Sequence, residues 1–385
     1  MTMGWSGMIR TIASFWVLAL GVTVSAGDHA GAMKLPVEEP FSWCSCAVRN
    51  DTIWVMTYGV NAYLYSIVAD RVIAREELDL PKYSWFARPA CVMDPPFAAL
   101  LYAGKTHLFL HEVHTDGRQS SVDTGIPSRS TTSFQLMRHR DSLVIACDVY
   151  DKRFTASSHN LSREYSAYSY CTAHDGTLSE ILPIESGRVI SHSFQSTVFR
   201  DTLQAVWRRL KEDALLTWVT DQQSSIVFAQ YDGESWSEPE PVFDYDGHDQ
   251  MESPLGLHVL NEQLWCFWAH QPVVSGNHTI RCAMRQGDGG WTTPTELVER
   301  SGELGTSWIV CDAANGKIHI VTPEPERERY EQNSFDGTVV QQDDSIQLGR
   351  QAKIHSLVSD GGQVYLFYSV RAPGGGEKEL YVLKL

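Results

Sequence analysis

Five arginines stand in the segments that separate the chain's repeated units. They are Arg88 in LPKYSWFARP, Arg129 in PSRST, Arg188 in ESGRVISH, Arg300 in ERSGELG and Arg350 in LGRQAK. A guanidinium fork holds a carboxylate through two parallel hydrogen bonds, so arginines converging on one place would suit an anionic sugar or another carboxylate ligand. Tyr83 and Trp85, just before Arg88, offer flat faces on which a sugar ring stacks. His248, Asp249 and Glu252, in DYDGHDQMES, add groups able to exchange protons. These ten residues are the candidate ligand site. The bland alternative is that loop arginines are solvated, so everything depends on whether the fold brings them together.

The elements that would do so are repeated. A strand, a tight Asp-Gly turn and a second strand recur at Asp116, Asp175, Asp232, Asp288 and Asp336. Gly tolerates φ > 0 and Asp tolerates the left-handed region, which makes Asp-Gly a strong hairpin signal. The following glycines are spaced by 59, 57, 56 and 48 residues. Self-similarity at this period, with four antiparallel strands per unit, points to a β-propeller. Strongly apolar second strands are expected at 53–58, 98–102, 143–149, 215–219, 264–269, 317–321 and 364–370. That count gives an all-β, seven-bladed propeller. Six blades is the alternative, because the stretch 202–219 is longer and less regular than its counterparts. The last unit lacks a fourth strand, and residues 33–38 (MKLPVE) are expected to supply it beside 380–385, closing the ring and covering an open edge.

In such a blade the first–second and third–fourth turns share one face, and these are short throughout. The insertions fall on the opposite face, at 150–164, 185–201, 244–253, 270–278, 322–329 and 371–378. Insertions gathered on one face of a repeat protein mark its binding face.

Residues 1–26 carry a basic Arg10, an apolar run too short to span a bilayer and a Val-Ser-Ala end, the pattern of a cleaved signal peptide. The expected mature protein is one propeller domain over 27–385, secreted, periplasmic or at the cell surface, and off the membrane after cleavage. A net charge of −16 argues against nucleic acid as a partner. None of the eight cysteines shows C-x₂-C spacing, and Asp244, Asp246 and Asp249 lack the later Glu of a calcium loop, so no metal and no cofactor is expected. Cys266 with Cys282, and Cys147 with Cys171, lie symmetrically about hairpin loops and are candidate disulfides, against the plainer reading of buried thiols.

Two stretches, YDGESWSEP at 231–239 and GDGGWTTP at 287–294, resemble the Asp-box turns of sialidase-like, BNR-repeat propellers. The resemblance implies that the Asp accepts hydrogen bonds within its turn and that the aromatic packs between strands, a structural role. Catalytic sialidases also share an Arg-Ile-Pro segment, and the nearest stretch here, Phe86-Ala87-Arg88-Pro89, has no Ile between Arg and Pro. The expected function is binding of a carbohydrate or other extracellular ligand, anionic or neutral, on the loop-rich face without catalysis. A sialidase-like glycosidase or a uronate polysaccharide lyase is the enzymatic alternative, and a protein-interaction scaffold the third.

Overall fold

The computed structural model describes residues 31–80, 89–114, 116–128, 131–150, 165–172, 182–185, 190–210, 224–244, 250–272, 277–301, 309–324, 329–348, 352–372 and 377–385. Among them lie seven four-stranded antiparallel sheets. Blade one is Phe41–Arg49, Thr52–Gly59, Ala62–Val68 and Arg71–Leu78, and blade two is Ala90–Asp94, Phe97–Ala103, His107–Val113 and Gln119–Pro127. Blade three is Thr131–His139, Ser142–Tyr150, Tyr165–Thr172 and Leu182–Glu185, and blade four is Ile190–Phe199, Thr202–Leu210, Ser224–Tyr231 and Glu240–Asp244. Blade five is Gln250–Leu260, Gln263–Pro272, Asn277–Met284 and Thr295–Ser301, and blade six is Val310–Ala314, Lys317–Pro323, Arg329–Phe335 and Val340–Gln347. Blade seven takes three strands from the C-terminus, Lys353–Asp360, Gln363–Arg371 and Lys378–Lys384, and its outer strand, Ala32–Lys34, from the N-terminus.

The first strand of each blade packs against the first strands of both neighbours, and blade seven meets blade one, so the ring closes. Closure by the N-terminal strand was expected over 33–38 and occurs over Ala32–Lys34, one position earlier at its start. Met33 pairs with Val382, and Leu35 N–H then donates to Leu380 O at 2.8 Å. One apolar cluster fills each of the seven seams between blades. Each Leu or Phe fully removed from water there contributes roughly 1.5–3 kcal/mol.

Six of the seven expected second strands are found. The exception is blade four, whose second strand is Thr202–Leu210, not 215–219, which lies outside the described residues. The turn that opens it is Arg200-Asp201, both at positive φ (52° and 62°). Asn50-Asp51, Asn261-Glu262, Asn315-Gly316 and Gly361-Gly362 share this geometry, the two-residue hairpin turn whose twist matches that of its strands.

The Asp-Gly turns hold as read. Asp232 Oδ1 accepts from the N–H groups of Glu234 and Ser235, each at 2.8 Å, and Asp336 Oδ1 from Thr338 and Val339 at 2.8 and 2.9 Å. Asp288 Oδ1 accepts from Gly290 and Asp116 Oδ1 from Arg118, each at 3.1 Å. Trp236 packs on Tyr231, ring centroids 5.2 Å apart. Asp175 lies outside the described residues.

Both candidate disulfides are corrected by register. Cys266 stands opposite Ala283 and Cys282 opposite Phe267, one step out of phase. Successive side chains point to opposite faces, so Cys266 lies in the seam between blades four and five and Cys282 in that between five and six. Cys147 pairs with Tyr168 and Cys171 with Val144, three positions apart along the ladder. At ~3.4 Å per residue that separation exceeds the reach of a disulfide.

Candidate functional site

Of the sequence-derived site, Tyr83, Trp85, Arg88, Arg129, Arg188, Arg350, His248 and Asp249 lie outside the described residues. Glu252 and Arg300 are placed by their backbones. Glu252 sits on the first strand of blade five, opposite His270, whereas Arg300 sits on the fourth strand, opposite His278. Three strand spacings of ~4.8 Å separate first from fourth strand, so Arg300 stands at the blade's outer edge and not near the central opening. These two positions are not brought together.

The structure instead exposes an arginine that a search of loops could not find. Arg208 lies near the end of the second strand of blade four, where the strand runs toward the loop-rich face. Alternation along Thr202–Leu210 sends Leu203, Ala205 and Trp207 into the seam with blade three. Gln204, Val206 and Arg208 therefore face blade five, where Val206 joins the seam's apolar cluster. Arg208 buries its Nε without a hydrogen-bond partner and makes no ion pair with a described residue. Burial pulls its pKa below the ordinary arginine value, with no charge among the described residues to offset it. Trp268, on the blade-five side of the seam, likewise buries its indole Nε1 without a partner while stacking on Phe243 at 5.7 Å. A guanidinium enclosed at its Nε with no counter-charge among the described residues is costly, and an anion bound beside it reduces that cost.

Two further groups have the residue types of nucleophilic chemistry. His258 Nε2 lies 3.3 Å from Cys311 Sγ, and its Nδ1 lies 3.9 Å from Asp312 Oδ1. Burial pushes the Cys311 thiol up and pulls His258 down against the opposing charge of Asp312. Neutral thiol beside neutral imidazole is a packed contact and not an activated nucleophile. The seam between blades seven and one is the reverse. Burial there opposes ionisation of Cys44, but hydrogen bonds from Cys46 and His355 and the charges of His355 and Lys353 bring its pKa down to about 6. His355 Nε2 is held at 2.8 Å from Ser369 Oγ. Cys44 is 4% exposed, so its sulfur is enclosed by the core cluster around it.

No family model matches the chain, and no curated protein does either. Among solved structures, the polysaccharide lyase Uly1 superposes with a TM-score of 0.58 at 10% identity, covering 91% of this chain and 92% of the lyase. The Trypanosoma rangeli sialidase gives 0.46 at 11% identity; the alignment covers 92% of this chain and 59% of that sialidase. A mutant of the Aleuria aurantia lectin in complex with Fucα1-6GlcNAc gives 0.42 at 10% identity over 80% of this chain and 96% of the lectin. The likeness to the lyase, nearly end to end in both chains, is one of fold: the chain is a β-propeller.

Proposed function

We propose that the chain is an exported, non-catalytic β-propeller that binds an acidic carbohydrate on its loop-rich face. The observation that carries this is Arg208, a partly buried arginine whose Nε is enclosed without a hydrogen-bond partner and which has no counter-charge among the described residues, at the loop-rich end of the seam between blades four and five. A uronate or sialic acid supplies a carboxylate to the guanidinium fork and hydroxyls to the polar groups around it. The reading is one of binding because an arginine at neutral pH holds an anion and transfers no proton. The two turn stretches at 231–239 and 287–294 fit a sialidase-like, BNR-repeat origin for the scaffold. The basic and apolar pattern of residues 1–26 supports export.

Calorimetry with a galacturonate trimer and with sialyllactose tests the site. Hydrogen bonds to a charged group contribute ~1.5–3 kcal/mol, so Arg208→Met should weaken binding ~10–100-fold while Arg208→Lys retains part of it. Failure of the wild type to bind either sugar, or equal binding by Arg208→Met, overturns the reading. Release of unsaturated uronate, or turnover of a fluorogenic sialoside, would replace binding with one of the enzymatic alternatives. Sequencing the N-terminus of the exported protein should find it beginning after Ala26.

A further inference from the structure

The opposite end of the same seam holds a cleft. It has a volume of about 420 Å³ and opens beside the turns Arg200-Asp201 of blade four and Asn261-Glu262 of blade five. That size falls in the ~300–1,000 Å³ range of small-molecule sites. Gln204 lines it and is 3% exposed. Its Nε2 donates to the carbonyl oxygens of Phe199 and Thr202, at 3.4 and 3.3 Å. Those two acceptors fix which end of the amide is nitrogen, and Oε1 is left buried with no hydrogen-bond donor. An orphaned buried acceptor of this kind costs roughly 1–3 kcal/mol unless a ligand or water supplies the donor.

The chemistry around Gln204 identifies what would supply it. Gln230, Gln263 and Gln286 also line the cleft, and a carboxamide both donates and accepts, as a sugar hydroxyl does. Phe199 and Leu264 provide apolar surface for C–H faces. The charges balance. Arg285 is neutralised by Glu240, which also accepts from Trp291 Nε1 at 3.1 Å, and its guanidinium lies over the Phe228 ring at 4.2 Å. At the lips, the cation Arg200, over the Phe199 ring at 4.8 Å, is matched by the carboxylate Glu262. Nothing in that arrangement favours an anion.

We propose that this cleft is a second binding site, on the short-turn face, for a neutral saccharide, with Gln204 Oε1 accepting a hydrogen bond from a ligand hydroxyl. It is independent of the anion site at Arg208, from which it is separated by the apolar centre of the seam around Val206.

The test is ligand-observed NMR and calorimetry on the full chain with lactose, cellobiose and maltose. Gln204→Met keeps the shape and removes the acceptor. Gly287→Trp closes the mouth: its φ lies outside the left-handed region and a Cβ built there meets no atom within 4 Å, so the fold tolerates the change. At least one disaccharide should bind the wild type, and both variants should lose ~10-fold or more in affinity, the worth of one well-placed buried hydrogen bond. Arg208→Met should leave this binding unchanged, so failure of the acidic site and failure of this one are read separately. If Gln204→Met does not fold, Gly287→Trp alone decides. The proposal is overturned if no disaccharide binds, or if binding survives Gly287→Trp.

Discussion

Six seams of this ring are tied together on the short-turn face by hydrogen bonds reaching from one blade's hairpin turns to its neighbour. Arg49 of blade one reaches Asp94 and the Pro95 carbonyl of blade two, and Asp94 also takes Arg138 of blade three at 2.5 Å. Arg140 holds Asp201 at 2.7 Å, Asn261 donates to Asp336 O at 3.3 Å, Asn315 donates to Gly362 O, and Asn50 N–H donates to Asp360 Oδ2 at 3.0 Å. The seam between blades four and five differs. Among the described residues, no such bond joins its two turns, Arg200-Asp201 and Asn261-Glu262. The tie has moved outward to Arg285 and Trp291 on Glu240, and the cleft occupies the space inside. The same seam buries the unpaired Nε of Arg208 at its other end. What sets this seam apart is the missing latch, and the space it leaves is the cleft.

The strongest way to break this comparison uses two tryptophans at equivalent places. Trp207 fills the seam between blades three and four and Trp268 that between four and five, both with no exposed surface. Either change to Ala removes a large buried ring and should cost ~3–5 kcal/mol in denaturant unfolding. Binding should separate them: Trp268→Ala weakens the uronate bound at the Arg208 end of its seam, whereas Trp207→Ala, measured where it remains folded, does not. Equal losses of binding would erase the distinction between the seams.

The same seam shows what the sequence could and could not convey. Blades with clean apolar second strands, such as Phe97–Ala103 or Gln363–Arg371, are legible from composition and turns alone. Thr202–Leu210 is not, because Gln204, Arg208 and Arg209 break the apolar run, and the more hydrophobic 215–219 reads as the better strand. Gln204 and Arg208, which hide that strand, are the ones that give the seam its chemistry. The disulfide pairing failed for a different reason. Symmetry about a loop assumes an even register, and Cys266 opposite Ala283 shows the hairpin is shifted by one, which sends the two thiols to opposite faces. Arg300 was misplaced because sequence marks the end of a blade but not which edge of it that end occupies.

The latches themselves should rank in the same order as their burial. Glu240→Gln removes the partner of Arg285, a side chain that is 16% exposed, and should cost about 2 kcal/mol. Asp94→Ala severs two bonds at once, but Asp94 and Arg49 are about half exposed, so the cost should stay under ~1 kcal/mol and shrink further in high salt. A larger loss for Asp94→Ala would mean that the turn latches, not the apolar seams, hold the ring closed.

A second contrast lies between the two Cys–His contacts. Timed alkylation with mass spectrometry should give Cys44 a rate, slow because the thiol is enclosed, that rises through about pH 6 and is flat above it. Cys311, whose thiol is pushed up by burial, should stay unmodified through neutral pH. His355→Gln removes both the charge and the hydrogen bond at Cys44 and should move its midpoint back toward the ordinary thiol value. An unchanged midpoint would remove His355 as the cause.

The smallest effect concerns the turns that built the repeat. N–H donation from Val339, with the Thr338 hydroxyl and N–H, lowers the Asp336 carboxyl to about 2, and the N–H groups of Ser235 and Glu234 lower Asp232. A carboxyl whose pKa is depressed in the fold favours the folded state when ionised. Its contribution is therefore full above the unfolded pKa, near 3.8, and is lost as pH falls through about 2. Thermal unfolding of the wild type should weaken across that acid window. In Asp336→Asn the amide oxygen still accepts the turn's N–H groups but does not titrate, so the same pH change should move Tm less. Asp232 is exposed and Asp336 partly so, which keeps the difference small and makes it sensitive to salt. If the two proteins lose Tm in parallel between pH 4 and pH 2, the acid sensitivity of the ring lies outside this turn, and the Asp-Gly turns serve to shape the chain without stabilising it through charge.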